Sequence, residues 1–205
     1  MGTRDALLVA DLVGVAVFAA SGASAAVAKR FDVFGVAFVG FVAALGGGVL
    51  RDLFIDVVPP LAFADWRYSV TAAIASLLVF RFHPQLAKLR RSVLLLDAAG
   101  LGLFTAASTL KALEAGVPAV GSCIIGMITG IGGGLARDVL TGEIPVVLRR
   151  EIYALAALLG AIAVAIGFQL HAPDTPLVLV CAVFICGVRV LALRRKWAAP
   201  VARGG

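Results

Sequence analysis

Six ionisable side chains sit inside otherwise apolar runs: Asp11, Arg51, Asp52, Asp97, Arg137 and Asp138. Four of them belong to two near-copies of one motif, GGGVLRD at 46–52 and GGGLARD at 132–138, identical at five of seven positions. Carboxylates and guanidinium groups removed from water either pair to hold helices together or set the sign of charge that a polar path admits. Residue types alone leave both readings open. Each glycine in a helix costs about 1 kcal/mol relative to alanine, so the triplets Gly46, Gly47, Gly48 and Gly132, Gly133, Gly134 have a use. One use is close helix packing, with Gly126, Gly130 and Gly134 as a GxxxG ladder. The other is a kink or unwound turn whose freed carbonyls line a cavity. Three glycines in a row favour the break, since a packing ladder needs one every fourth residue.

The elements that carry these residues are set by composition. Of 205 residues, 61% are hydrophobic and 15% charged, with a mean hydropathy of +1.05. Soluble domains are roughly half apolar and about a quarter charged, so too little polar sequence remains for a water-facing shell. The chain is expected to be an all-α integral membrane protein. Only helices or closed barrels satisfy every backbone amide in lipid, and runs such as VLLLDAAGLGLFTAASTL do not alternate as barrel strands do. At roughly 20 apolar residues per crossing, seven transmembrane helices are predicted: 6–28, 33–55, 68–82, 92–113, 117–140, 152–170 and 175–193. They use nearly the whole chain as one transmembrane domain, 1–205, with short loops and no room for a soluble catalytic unit. The first run is longer than the core of a cleavable signal, which is 7–15 residues, and is expected to be a retained helix.

Positive flanks stay cytoplasmic. Lys29, Arg30, Arg81, Lys88, Arg90, Arg91, Arg149, Arg150, Arg194, Arg195, Lys196 and Arg203 fall on one side, and Arg4, Arg67 and Lys111 on the other. The expected orientation has the N-terminus outside and the C-terminus in the cytoplasm, in a cytoplasmic (inner) membrane. Topology and anionic headgroups account for the net charge of +6, so no nucleic-acid partner is expected.

The two motifs belong to a longer self-similarity. At a constant offset of 86, Asp11 matches Asp97, Gly14 matches Gly100, Phe18 matches Phe104, Gly40 matches Gly126 and Pro59 matches Pro145. Repeat one covers about 6–82 and repeat two about 92–170. Each holds three spans, so the second enters from the opposite side: an inverted repeat of the kind that builds transporters and permeation proteins. The seventh helix, about 175–193, lies outside it and suits a peripheral or oligomer-packing role.

A break at the triplets would leave half-helices 33–45 and 117–131 with their C-terminal ends meeting near the midplane, each with about half a negative charge. Those ends favour a cation, whereas Arg51 and Arg137 on the following half-helices favour an anion unless they are neutralised. Counted at 1.5 Å per residue, Asp11 lies level with Arg51, and Asp97 with Arg137. Neighbours on a helix do not face each other. The expected pairs are therefore Asp11–Arg51 and Asp97–Arg137, with Asp52 and Asp138 left to bias a path toward cations.

Little other chemistry is legible. There is no phosphate-binding loop, and GIGGG at 130–134 lacks the strand-turn-helix context of a dinucleotide site. His83 and His171 are isolated, and Cys123, Cys181 and Cys186 read as packing thiols, so no metal or cofactor is expected beyond a permeant potassium or sodium ion. No Ser or Cys has a candidate base, so the chain is not expected to be an enzyme. Lys111 and Glu114 read as a surface pair, Trp66, Tyr68 and Trp197 as interfacial anchors, and Arg189 as a snorkelling side chain.

With GGGVLRD and GGGLARD each in the second helix of a three-helix unit, the chain resembles the prokaryotic trimeric intracellular cation channel family, whose domain also carries a glycine-transporter label. The resemblance covers roughly 6–193. It implies a homotrimer of seven-helix protomers, each with its own pore for monovalent cations, chiefly potassium, formed by the two glycine-kinked helices. Gly46, Gly47, Gly48, Gly132, Gly133 and Gly134 would then be kink residues, with Arg51, Asp52, Arg137 and Asp138 along or beside the path. The lysine-glutamate-valine triplet of animal members is missing at the first kink, and with it the basis for expecting their lipid regulation. Two other classes fit the same residues: a secondary transporter of a small zwitterion such as glycine, and a membrane adaptor with no permeation.

Overall fold

The computed structural model describes residues 3–82, 89–149 and 152–195; His83, Lys88, Arg150, Lys196, Trp197 and Arg203 lie outside them. The described residues form nine helices: α1 (Thr3–Ala28), α2 (Val33–Phe54), α3 (Leu61–Ala64), α4 (Trp66–Phe82), α5 (Leu89–Glu114), α6 (Ala119–Leu140), α7 (Val146–Arg149), α8 (Ile152–Gln169) and α9 (Asp174–Arg195). Six of them, α1, α2, α5, α6, α8 and α9, are long and apolar enough to cross a membrane. The third predicted span differs. It forms α4, whose 17 residues rise about 25 Å, short of a hydrocarbon core of about 30 Å.

Displaced by 86 residues, α1 and α2 coincide with α5 and α6 end for end, and α3 and α4 fall within a residue of α7 and α8. The ends repeat as well. After α1, α2, α5, α6 and α8 the chain turns through a left-handed residue, respectively Arg30, Asp56, Gly116, Gly142 and His171. The next amide bonds back into the last turn, as from Phe31 to Ala26, Val57 to Asp52 and Glu143 to Asp138. This closure meets the carbonyls that a helix end leaves open.

The centre is built by α1, α2, α5 and α6, with α4 against α1 and α2, α8 against α5 and α6, and α9 over α5 and α8. Small residues set the spacing. Both glycine triplets stay within continuous helix, so no unwound turn interrupts α2 or α6, and half-helices 33–45 and 117–131 do not arise. A Cβ on Gly47 would strike the carbonyl oxygen of Thr129, and one on Gly133 that of Ala43; Gly132 lies against the Gly47 backbone. Residues 43 and 129 are themselves 86 apart, so the two contacts are reciprocal, as across a two-fold axis. The same reciprocity places Gly14 against Phe104 and Gly100 against Phe18, whose rings stack with centroids 5.3 Å apart. Of the two uses open to the triplets, the structure displays the packing one: they let α2 and α6 cross backbone to backbone. Gly126 and Gly130 extend it toward Thr105 and Thr109 of α5.

Candidate functional site

Each half of the molecule buries one arginine between two carboxylates. In the second half Arg137 of α6 reaches Asp97 of α5 at 2.7 Å and Asp138 at 2.8 Å, while Ser21 of α1 accepts from its Nη1 at 2.7 Å. In the first half Arg51 of α2 lies 2.7 Å from Asp52 and 3.7 Å from Asp11 of α1, with Ser108 of α5 at 3.4 Å from Nη1. Each arginine is thus met by a serine of the opposite repeat. Arg51, Arg137, Asp11 and Asp97 are all at most 2% exposed.

The sequence argument misplaces Asp52 and Asp138. Neither is free: Asp52 accepts from Arg51 Nε and from the Leu61 amide, both at 2.8 Å, and Asp138 accepts from Arg137 Nε and the Val146 amide, both at 2.9 Å. Helical neighbours diverge at Cβ, but arginine's long stem folds back and carries its planar fork onto the adjacent carboxylate. In a low-dielectric interior an unmet guanidinium donor costs more than that curl. The second oxygen of each Asp then ties down the first turn of α3 or α7, so the loop after each crossing helix is anchored to the ion pair.

Three side chains read as peripheral turn inward, two of them onto Asp11. Tyr68 is buried and donates to Asp11 Oδ2 at 3.1 Å. Lys111 also binds Asp11 Oδ2, from the last turn of α5. Arg189 is 1% exposed, with its guanidinium over the Tyr153 ring at 4.8 Å from the centroid, inside the protein and not at a headgroup. Depth matching, applied above to the arginines alone, would have found Lys111: α5 is read as crossing opposite to α1, so its end lies level with the start of α1 where Asp11 sits. No sequence signal marked Ser21 or Ser108, because small hydroxyls are common in packed membrane helices. Trp66, in contrast, is 71% exposed, as an anchor would be.

A cavity of about 540 Å³ opens beside Arg137 and Asp138, with Ala25, Ala28, Val93 and Thr141 in its wall and the Lys29–Glu143 ion pair, partly exposed, at its edge. A smaller pocket of about 10 Å³, room for roughly one water, lies between Arg51, Asp52, Gly48 and Tyr68. Asp11 Oδ1 and Asp97 Oδ2, matched atoms of the two repeats, receive no hydrogen bond among the described residues. Among those residues no group of His, Cys, Asp and Glu is placed to hold a metal ion.

An all-helical bundle of two matched halves, each with an arginine-carboxylate cluster beside a glycine crossing, defines a class of polytopic membrane protein. The family model described as "Glycine transporter" matches residues 8–84 and 94–169, one segment for each repeat. A membrane protein of Deinococcus radiodurans is 45% identical over 156 residues, covering 75% of this chain and 73% of that one. The inner membrane protein YadS of Escherichia coli K12 is 42% identical over 153 residues, covering 74% of each. A solved TRIC trimeric intracellular cation channel orthologue from Rhodobacter sphaeroides is 32% identical, with a TM-score of 0.89 over 93% of this chain and 98% of that one. The chain belongs to the prokaryotic trimeric intracellular cation channel family, the one that carries the glycine-transporter label.

Proposed function

We propose that the protein is a passive cation channel of the inner membrane, potassium-permeable and trimeric, with one pore in each protomer. The observation that carries this reading is the near-complete overlap with a solved TRIC cation channel at 32% identity. In this reading α4 is the seventh crossing, accommodated by a locally thinned bilayer, and the axis relating the halves lies in the membrane plane. The route enters through the 540 Å³ cavity beside Arg137 and Asp138 and leads toward the Arg51 cluster in the other half. Its sign follows from neutralised arginines: each guanidinium is spoken for by two carboxylates, while Asp11 Oδ1 and Asp97 Oδ2 keep unmet lone pairs. A cation gains from such oxygens, whereas an anion meets no unshared positive charge there. The N-terminus is outside and the C-terminus cytoplasmic. The protein acts as a channel and not as an enzyme.

Reconstitution in a planar bilayer with asymmetric potassium chloride tests this. Discrete current steps that reverse near the potassium equilibrium potential are expected. Reversal near the chloride potential, or saturable glycine uptake into proteoliposomes without current steps, would overturn it.

A further inference from the structure

The helix α9 lies outside the repeat, yet it sends a charge into the second half. Arg189 is 1% exposed, and its guanidinium stands over the Tyr153 ring of α8, 4.8 Å from the centroid. Ile185 and Val188, also of α9, share a packed cluster with the same ring, so α9 seats it. The far end of that ring reaches the ion pair. A Cβ on Gly134 would meet Asp97 Oδ1 at 2.6 Å, Tyr153 Oη at 2.8 Å and Arg137 Nη2 at 3.7 Å, so the glycine leaves room where phenol, carboxylate and guanidinium come together. Tyr153 takes the place that Tyr68, 85 residues earlier, holds in the first half, where the hydroxyl donates to Asp11. The short helices α3 and α7 are displaced by the same 85 residues. Asp97 Oδ2 and the Tyr153 hydroxyl, an acceptor and a donor, are buried and unmet among the described residues, so the support that the phenol gives the carboxylate depends on the seat of the ring. A guanidinium buried in a membrane-spanning helix is costly, and packing alone would be served by an apolar side chain.

We propose that Arg189 is a positioning residue for cation selectivity: by seating the Tyr153 ring it keeps the phenol beside Asp97, and thereby keeps Asp97 on Arg137. This rests on the channel reading, in which a neutralised Arg137 lets cations pass. Two effects of the same side chain oppose each other. As a bare positive charge near the route, Arg189 would disfavour cations, and its removal would favour them. As a seat for Tyr153 it holds Arg137 neutral, and its removal frees a charge that repels cations. The second effect governs, because Arg137 lines the cavity itself while Arg189 stands a ring's length behind the ion pair.

Arg189→Met and Tyr153→Phe, alone and together, test this as full-length protein in planar bilayers under asymmetric potassium chloride. Each single change should lower the permeability ratio of potassium to chloride by about twofold or more, and the double variant should fall no further than the larger single, since both remove one placement. Arg189→Lys, which keeps a cation over the ring, should stay near the parent. A raised ratio for Arg189→Met, an unchanged ratio in folded variants, or single effects that add in the double variant would overturn the proposal. If Arg189→Met does not fold, Arg189→Gln takes its place in the same cycle. Thermal melts of these proteins in detergent supply a readout without current: the midpoint losses of the two singles should likewise fail to add. Non-additive losses in a protein that passes no current would keep the positioning role and reject the channel. Additive losses in a conducting protein would do the reverse.

Discussion

At the scale of single residues, the buried charges differ from the exposed ones by how much solvent they have lost. Removing one partner of a buried pair strands the other, at a cost of about 3–5 kcal/mol. Asp97→Ala is therefore expected to lower the thermal unfolding midpoint in detergent sharply, because Arg137 then keeps only Asp138 and Ser21. Asp138→Asn is expected to reduce both conductance and stability, since this carboxylate braces Arg137 and the Val146 amide as well as facing the cavity. Equal stability of the two proteins would show that the brace is idle. By the same reasoning Lys29→Ala should change the midpoint little: Lys29 and Glu143 are 39% and 59% exposed, and such pairs contribute about 0–1 kcal/mol. A shift as large as that of Asp97→Ala would refute this ranking.

Helices and turns bring a different constraint, the distance of closest approach. Within one glycine triplet the three positions are not equivalent. Gly46 has nothing within 4 Å of a built Cβ, whereas Gly47 meets the Thr129 carbonyl of α6. Gly46→Ala should therefore be neutral or stabilising by up to about 1 kcal/mol, through helix propensity alone. Gly47→Ala and Gly133→Ala should each push α2 and α6 apart, lowering the unfolding midpoint and altering unitary conductance. The same thermal melts would detect it, and equal melts for residues 46 and 47 would reject the crossing as the reason for the triplet. The left-handed closures offer a gain. His171 holds φ +57 where Gly116 and Gly142 serve the equivalent closures, so His171→Gly should stabilise the end of α8 by about 1 kcal/mol in the same assay.

For the whole molecule, large apolar side chains stay exposed on many faces, among them Phe34, Phe63, Trp66, Val120, Leu148 and Leu170, so lipid or neighbouring subunits must cover them. The helix α9 covers α5 and α8 of the second half and has no counterpart on the first, whose outer faces remain open. A closed three-fold ring would cover part of that surface. Light scattering with detergent correction should give a particle of three chains of 21.0 kDa. A monomeric particle that still conducts would separate the pore from the trimer.

The lipid environment, the helical class, the duplication and the level matching of Asp11 with Arg51 and of Asp97 with Arg137 could be read from the chain. They depend on composition, run length and spacing along one axis, which a linear string contains. The rest depends on what lies across an element. A triplet of glycines could mean a broken helix or an intimate crossing, and only the carbonyls of Thr129 and Ala43 on the facing helices decided for the crossing. Arg51 and Arg137 curl onto their own neighbours because burial leaves no water to satisfy them. Tyr68 and Lys111 looked like membrane-edge side chains until the bundle placed Asp11 between them. That meeting of side chains from three helices at one carboxylate is a proximity that no single stretch of sequence carries.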